Sequence, residues 1–320
     1  MSRSSDFIRI IPAALILLLT LSGCPRKPAT ILDTRPAPTV VIIDGEISGV
    51  VFNKSLDRPY GLALTPNGSV AVVDRGNHRV VLFNEELTPI LESGESFDGI
   101  GPLKDPGYVS VDILGNLTVV DEGHNRLAML DKRLILEREV PFRDEDDLNR
   151  LGWPVSAQRL SNTDYWVTDR DNNQVAVFDF VGTFDTVFGD FGWDGGQLRS
   201  PEKIFLDRDD YPCICDAGNG RIICYDGFGR YKYEFKNLPA GYPIAAVADR
   251  SRIWLVDGAD EGALFLYTAN GKLVGQWGPK LIGSDIPLKR PSDIVVLPDG
   301  RLLLSDTGNN RLLVLKLLTD

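Results

Sequence analysis

One pattern recurs six times in this 320-residue chain, and it limits the fold more than any other feature. An apolar strand ends in Asp, a short polar turn follows, and a second apolar strand begins, usually on Arg. The copies read AVVDRGNHRVVLF (71–83), TVVDEGHNRLAML (118–130), WVTDRDNNQVAVF (166–178), CICDAGNGRIICY (213–225), WLVDGADEGALFLY (254–267) and LLSDTGNNRLLVL (303–315). The strand-ending residues Asp74, Asp121, Asp169, Asp216, Asp257 and Asp306 are spaced by 47, 48, 47, 41 and 49 residues. A unit of that length cannot bury its own sheet faces, so the copies must pack on one another.

Each copy follows a Pro that opens another short strand: Pro59, Pro106, Pro154, Pro201, Pro243 and Pro291. Proline is tolerated there because the first strand residue needs no ladder donor. Turn signals such as Pro66-Asn67-Gly68 and Pro298-Asp299-Gly300 come next. A further turn after the Asp–Arg hairpin leads to a fourth strand, as in Asn270-Gly271 before 272–277. Four short strands per period of about 45 residues is the pattern of a β-propeller blade. The expected fold is therefore an all-β, six-bladed propeller over residues 40–320. No long stretch shows a 3.6-residue apolar period, which argues against a helical solenoid.

The spacing and the D-x-G-N-x-R turn resemble the NHL repeat family, which forms six-bladed propellers. Asp74, Gly76, Asn77 and Arg79 match the motif, as do Asp216, Gly218, Asn219, Arg221 and Asp306, Gly308, Asn309, Arg311. The second copy carries His124 in place of Asn. The third has Asp171 for Gly and Gln174 for Arg. The fifth departs most, with Ala259, Asp260 and Gly262, but Trp254, Leu255, Phe265 and Tyr267 keep the strand pattern.

Ring closure is also legible. The last repeat supplies three strands before the chain ends. An orphan segment around 44–52 parallels the fourth strand of the fifth repeat, so residues 46–52 are expected to complete the last blade and cover an exposed edge. A chain beginning at residue 56 should then be far less stable than one beginning at 40.

Residues 1–23 carry Arg3 and Arg9 ahead of an apolar run from Ile10 to Leu21. That run is too short to span a bilayer, which needs about 20 residues, and suits a signal peptide. It ends in Leu21-Ser22-Gly23-Cys24, which resembles the lipobox of bacterial lipoproteins. The resemblance implies that Cys24 is lipidated and becomes the N-terminus. Residues 24–39, the Cys and a Pro-rich stretch, read as a tether. The expected location is the bacterial cell envelope, with attachment to the membrane through lipid. Periplasmic and outer surfaces both stay open.

The formal charge is −11, from 34 basic and 45 acidic residues, which argues against nucleic acid as a partner. The expected partner is an envelope protein or a small ligand, bound by a monomer. The repeated Asp residues read as turn staples rather than a charged site, since Asp caps turn amides and Arg pairs with it. The two histidines, His78 and His124, lie in turns of adjacent blades and do not make a zinc set. The acidic run Asp144, Glu145, Asp146 and Asp147 reads as a solvated loop. Cys213, Cys215 and Cys224 are buried small hydrophobes or hold one disulfide, with either Cys213 or Cys215 as partner of Cys224. A structural calcium or zinc ion is a secondary possibility, and no cofactor is called for.

Tyr60, Tyr108, Ser156, Glu202, Lys203 and Asp293 begin the inner strands and are expected around the mouth of the central channel. The links between blades carry Trp153, Phe188, Phe191, Trp193, Tyr242 and Trp277, which either wedge between blades or meet a partner. No nucleophile elbow, zinc-protease helix or P-loop occurs. These features favour a non-catalytic binding scaffold. The alternative is a metal-dependent enzyme of the lyase or lactonase type with its site in the channel.

Overall fold

The computed structural model describes residues 40–93, 103–142, 151–249 and 252–318. The expectations for residues 1–39, with Cys24, and for the acidic run 144–147 lie outside them. Six four-stranded antiparallel sheets form the six blades. We call their strands a to d, from the channel outward. The inner a strands are Pro59–Leu64, Pro106–Val111, Pro154–Arg159, Pro201–Leu206, Pro243–Asp249 and Asp293–Val296.

The middle strands are apolar on both faces because both faces are covered. In blade 1, Val70 and Val72 pack towards blade 6, while Ala71 and Val73 pack towards blade 2. The same division repeats around the ring. Each of the six apolar clusters fills the space between two neighbouring blades. No blade has a core of its own.

The last sheet is closed from the N-terminal side. Val40–Ile47 pairs antiparallel with Arg311–Leu318 as the outer strand of blade 6, with Val40 opposite Leu318 and Ile47 opposite Leu312. The closing strand thus lies earlier than residues 46–52. Val50–Val51 instead forms a small hairpin with Lys54–Ser55. The physical reason is apolar patterning: Val41 is buried against the 5–6 cluster, whereas Val50 is exposed.

Two faces result. The b–c turns and the blade-to-blade links share one, here the b–c face. The a–b and c–d turns share the opposite one, here the a–b face.

Candidate functional site

The repeat Asp residues are buried at the b–c face. In the sequence reading they cap amides of the turn that follows. Their main work is different: each holds the link that enters its own blade. Asp74 accepts from the Asp57 amide at 2.9 Å, Asp121 from Lys104 at 2.7 Å, Asp216 from Arg199 at 2.7 Å and Asp306 from Lys289 at 2.8 Å. Asp169 accepts from Gly152 and Trp153, and Asp257 from Gly241 and Tyr242. The other oxygen of Asp216 takes the Asn219 amide at 2.8 Å and the Arg221 Nε at 2.7 Å.

Arginine extends this staple outward. Arg79 reaches Glu92, Arg126 reaches Glu139, Arg221 reaches Glu234 at 2.6 Å, and Arg311 reaches Glu46 at 2.9 Å. Glu46 lies on the closing strand, so the staple crosses the seam of the ring. The motif Gly is needed for close approach: a Cβ at Gly218 or Gly308 would stand 2.7 or 2.6 Å from a link carbonyl. The left-handed residue is two positions later in sequence, at His78, Asn125, Asn173, Gly220 and Asn310.

The histidines take part in the same network. His124 replaces the motif Asn and bonds Asp121 through Nδ1 at 2.8 Å. His78 accepts the Asp105 amide at 3.0 Å, and so ties blade 1 to the link into blade 2. Asn173 does the same for Ser200, and Asn310 for Arg58 across the seam.

At the channel, register shifts after Pro59, Pro106, Pro154 and Pro201 release two residues per strand from the ladder. These are the places of Tyr60, Tyr108, Ser156, Glu202 and Lys203. Tyr108 crosses the axis: its hydroxyl donates to the Ser292 carbonyl at 2.9 Å and the Ile244 carbonyl at 3.2 Å. Tyr60 packs on it with ring centroids 5.1 Å apart. Lys203 Nζ meets Asp293 Oδ1 at 2.5 Å, and Asp293 Oδ2 takes the Leu62 amide at 2.8 Å. Ser156 Oγ accepts the Ile204 amide at 3.2 Å. The six candidates therefore plug the channel more than they ring an open mouth. Below the plug, a cavity of about 330 Å³ opens on the a–b face, walled by Leu62, Leu64, Val109, Val111, Val247 and Val296.

Above the plug lie charges that the sequence reading did not single out. Arg75 forms a two-pronged pair with Glu122 at 2.7–2.8 Å and covers the Tyr60 ring. Arg170 pairs with Glu202 at 2.7 Å, and Tyr242 donates to the other Glu202 oxygen at 2.6 Å. The signal was present, since Arg75, Glu122 and Arg170 each follow a repeat Asp, where the other blades have Ala217, Gly258 and Thr307. Burial raises the Glu202 and Asp293 carboxyls above their usual range, against the pull of Arg170 and Lys203. Burial likewise raises the Tyr60 hydroxyl, with the Glu202 charge adding to it.

Among the described residues no three His, Cys, Asp or Glu side chains stand together as a metal would need. The channel acids hold the protein's own cations instead. The described channel residues do not fit the metal of the enzyme reading. Cys213 and Cys224 face each other across the b–c hairpin and are disulfide-bonded, while Cys215 is free and buried.

The link aromatics divide. Phe188 packs between Trp166 and Tyr225, Trp277 lies against Trp254, and Tyr242 serves Glu202. Trp153, Phe191 and Trp193 are exposed on the b–c face, all in the links entering blades 3 and 4. Arg170 stands over Trp153 and Arg199 over Phe191.

The comparisons with known proteins agree with this geometry. The NHL repeat model matches residues 56–83 and 288–315. The chain is 23% identical over 134 residues to "Protein brain tumor" of Drosophila melanogaster, covering 40% of this chain and 12% of that protein. A solved streptogramin B lyase superposes with a TM-score of 0.61 at 16% identity, over 89% of this chain and all of that one. A gluconolactonase from Xanthomonas campestris gives 0.60 at 14% identity, over 89% and 99%. At such identities the two structures speak for the fold alone. Six sheets, a repeated Asp–Arg turn and a strand-closed seam make this chain a six-bladed β-propeller that carries NHL repeats in its first and last blades.

Proposed function

We propose that this chain is a lipid-anchored envelope protein that serves as a non-catalytic recognition scaffold. The observation that carries the reading is the contrast within the b–c face. Arg75, Glu122, Arg170 and Glu202 at its centre are spent on one another, whereas Trp153, Phe191 and Trp193 are exposed beside them, with Arg199 over Phe191. Aromatic rings held by a rigid frame lose little entropy on binding and dominate contact energies. The partner is an envelope protein or a small ligand presenting apolar groups and negative charge. Anchoring through Cys24 rests on the lipobox alone.

Proximity labelling in native membranes tests this. Cells carrying Phe191→Ala with Trp193→Ala should lose a partner that the parent labels, at unchanged protein level. An unchanged labelling pattern would remove the proposed surface. Stoichiometric zinc or calcium in the purified protein would instead favour the enzyme reading, which the paired channel acids oppose.

A further inference from the structure

We propose that the a–b face of blades 2 to 4 rests on a phospholipid bilayer, with its apolar turn tips seated among the headgroups. Ile113 and Leu114 cap the a–b turn of blade 2 and are 91% and 70% exposed. Phe180 and Val181 cap the c–d turn of blade 3, and Phe228 caps that of blade 4 at 84% exposure. Direct contacts join these turns into one surface. Arg138 donates to the Phe180 carbonyl at 3.0 Å, Asn162 to the Gly227 carbonyl at 3.4 Å, and Arg159 pairs with Asp112 at 3.4 Å.

The acids of these turns are withdrawn beneath the tips. Asp112 accepts the Leu114 and Asn116 amides, Asp179 those of Val181 and Thr183, and Asp226 those of Phe228 and Arg230. Lys132 and Arg133 remain exposed among the apolar tips, Arg230 is paired with Asp226, and the a–b turn of blade 4 presents Arg208 beside exposed Asp209 and Asp210. Apolar side chains flanked by Lys and Arg suit an anionic lipid surface. The described turns of blades 5, 6 and 1 are different. Their tips are Ala269-Asn270-Gly271, Asp299-Gly300, Asn67-Gly68 and Glu85-Glu86, with no large apolar group.

The course of the chain selects a bilayer over a protein. Arg311 marks the b–c end of its strand and Leu318 the opposite end. Val40 pairs with Leu318, so the chain enters the propeller from the a–b face. Only residues 25–39 separate Val40 from Cys24, and fifteen residues reach at most about 50 Å. The apolar tips also sit on separate turns rather than lining a groove, which fits a deformable surface. This inference rests on the anchoring reading. It places Trp153, Phe191 and Trp193 on the side turned away from the membrane.

The test uses the full lipidated chain reconstituted in vesicles of phosphatidylethanolamine and phosphatidylglycerol. Phe228→Trp, and separately Phe180→Trp, add an indole at a tip. With brominated acyl chains in the vesicles, that added emission should fall by about twofold or more, while the parent's own tryptophans change little. Adding Ile113→Asp and Leu114→Asp should abolish the quenching and leave flotation intact. A chain that floats with the vesicles but shows no quenching of either added indole overturns the inference and spares the anchor. A parent chain that does not float overturns both. Tips that stay unquenched and crosslink to an envelope protein in cells belong to a protein interface, which also overturns it.

Discussion

Blades 1, 2, 4 and 6 are held at the b–c face by a chain from a buried Asp through a buried Arg to a Glu, and blades 3 and 5 are not. In blade 3, Gln174 stands for Arg and still reaches Asp169 at 3.2 Å, while Val187 stands where the other blades have Glu. In blade 5 the hairpin is one residue longer, and the register puts Ala263 at the Arg position and Gln276 at the Glu position. Asp257 there accepts the Gly241, Tyr242 and Ala259 amides, with an alanine opposite it in place of a guanidinium. The difference teaches that the Asp holds the entering link in every blade, with or without an Arg–Glu pair beyond it. Replacing a buried ion pair with good apolar packing is often neutral, whereas breaking one partner alone is costly.

The sharpest way to break the comparison is at the seam. Removing residues 40–47 takes away the outer strand of blade 6 and the Glu46 partner of Arg311 together. Loss of cooperative thermal unfolding, or of soluble protein, is expected. A melting temperature equal to the parent's would refute strand closure.

Next in size are single arginines. Arg79→Ala or Arg221→Ala leaves Asp74 or Asp216 buried without its cation and should cost about 3–5 kcal/mol in urea unfolding. Gln174→Ala should cost only about 1 kcal/mol, as for one neutral hydrogen bond. Equal costs would remove the distinction between the two kinds of blade.

Lys203→Met should cost about 3 kcal/mol near pH 8, with a pH dependence of known sign. Burial already raises the Asp293 carboxyl, and without Lys203 it rises further. A carboxyl raised in the folded state adds stability that is fully present below its unfolded pKa and is lost as pH climbs through the folded one. The gap between variant and parent should therefore widen from pH 4 to pH 8. A gap that narrows over that range would show that Asp293 is not the group left behind.

The smallest effect comes from transplanting the staple. Gln174→Arg with Val187→Glu should change blade 3 stability by less than about 1 kcal/mol, because position 187 is partly exposed and screened. Arginine alone, without the glutamate, should be no better than the parent.

Much of the architecture was readable because a propeller repeats its errors as well as its rules. Six Asp residues at near-equal spacing name six blades, and the loss of Arg in blades 3 and 5 is local. The closing strand was readable in kind but misplaced in register. Glycine-rich turn analogy pointed to 46–52, while burial of Val41 selects 40–47. The channel was less legible. Tyr60, Tyr108, Glu202, Lys203 and Asp293 occupy the first two positions after the Pro that opens each inner repeat element, but nothing in the sequence says that Tyr108 crosses the axis. Arg75, Glu122 and Arg170 follow the repeat Asp and were hidden by its prominence.

By itself the sequence determined the blade count, the strand order within each blade and the residues of the turn staple. Those depend on local periods and turn chemistry, which are written along the chain. Only the tertiary structure decided which cysteine faces Cys224, which acid each cation neutralises, and which aromatics remain outside. Those outcomes arise from residues far apart in sequence competing for one small volume at the axis or the seam. No local pattern records who wins that competition.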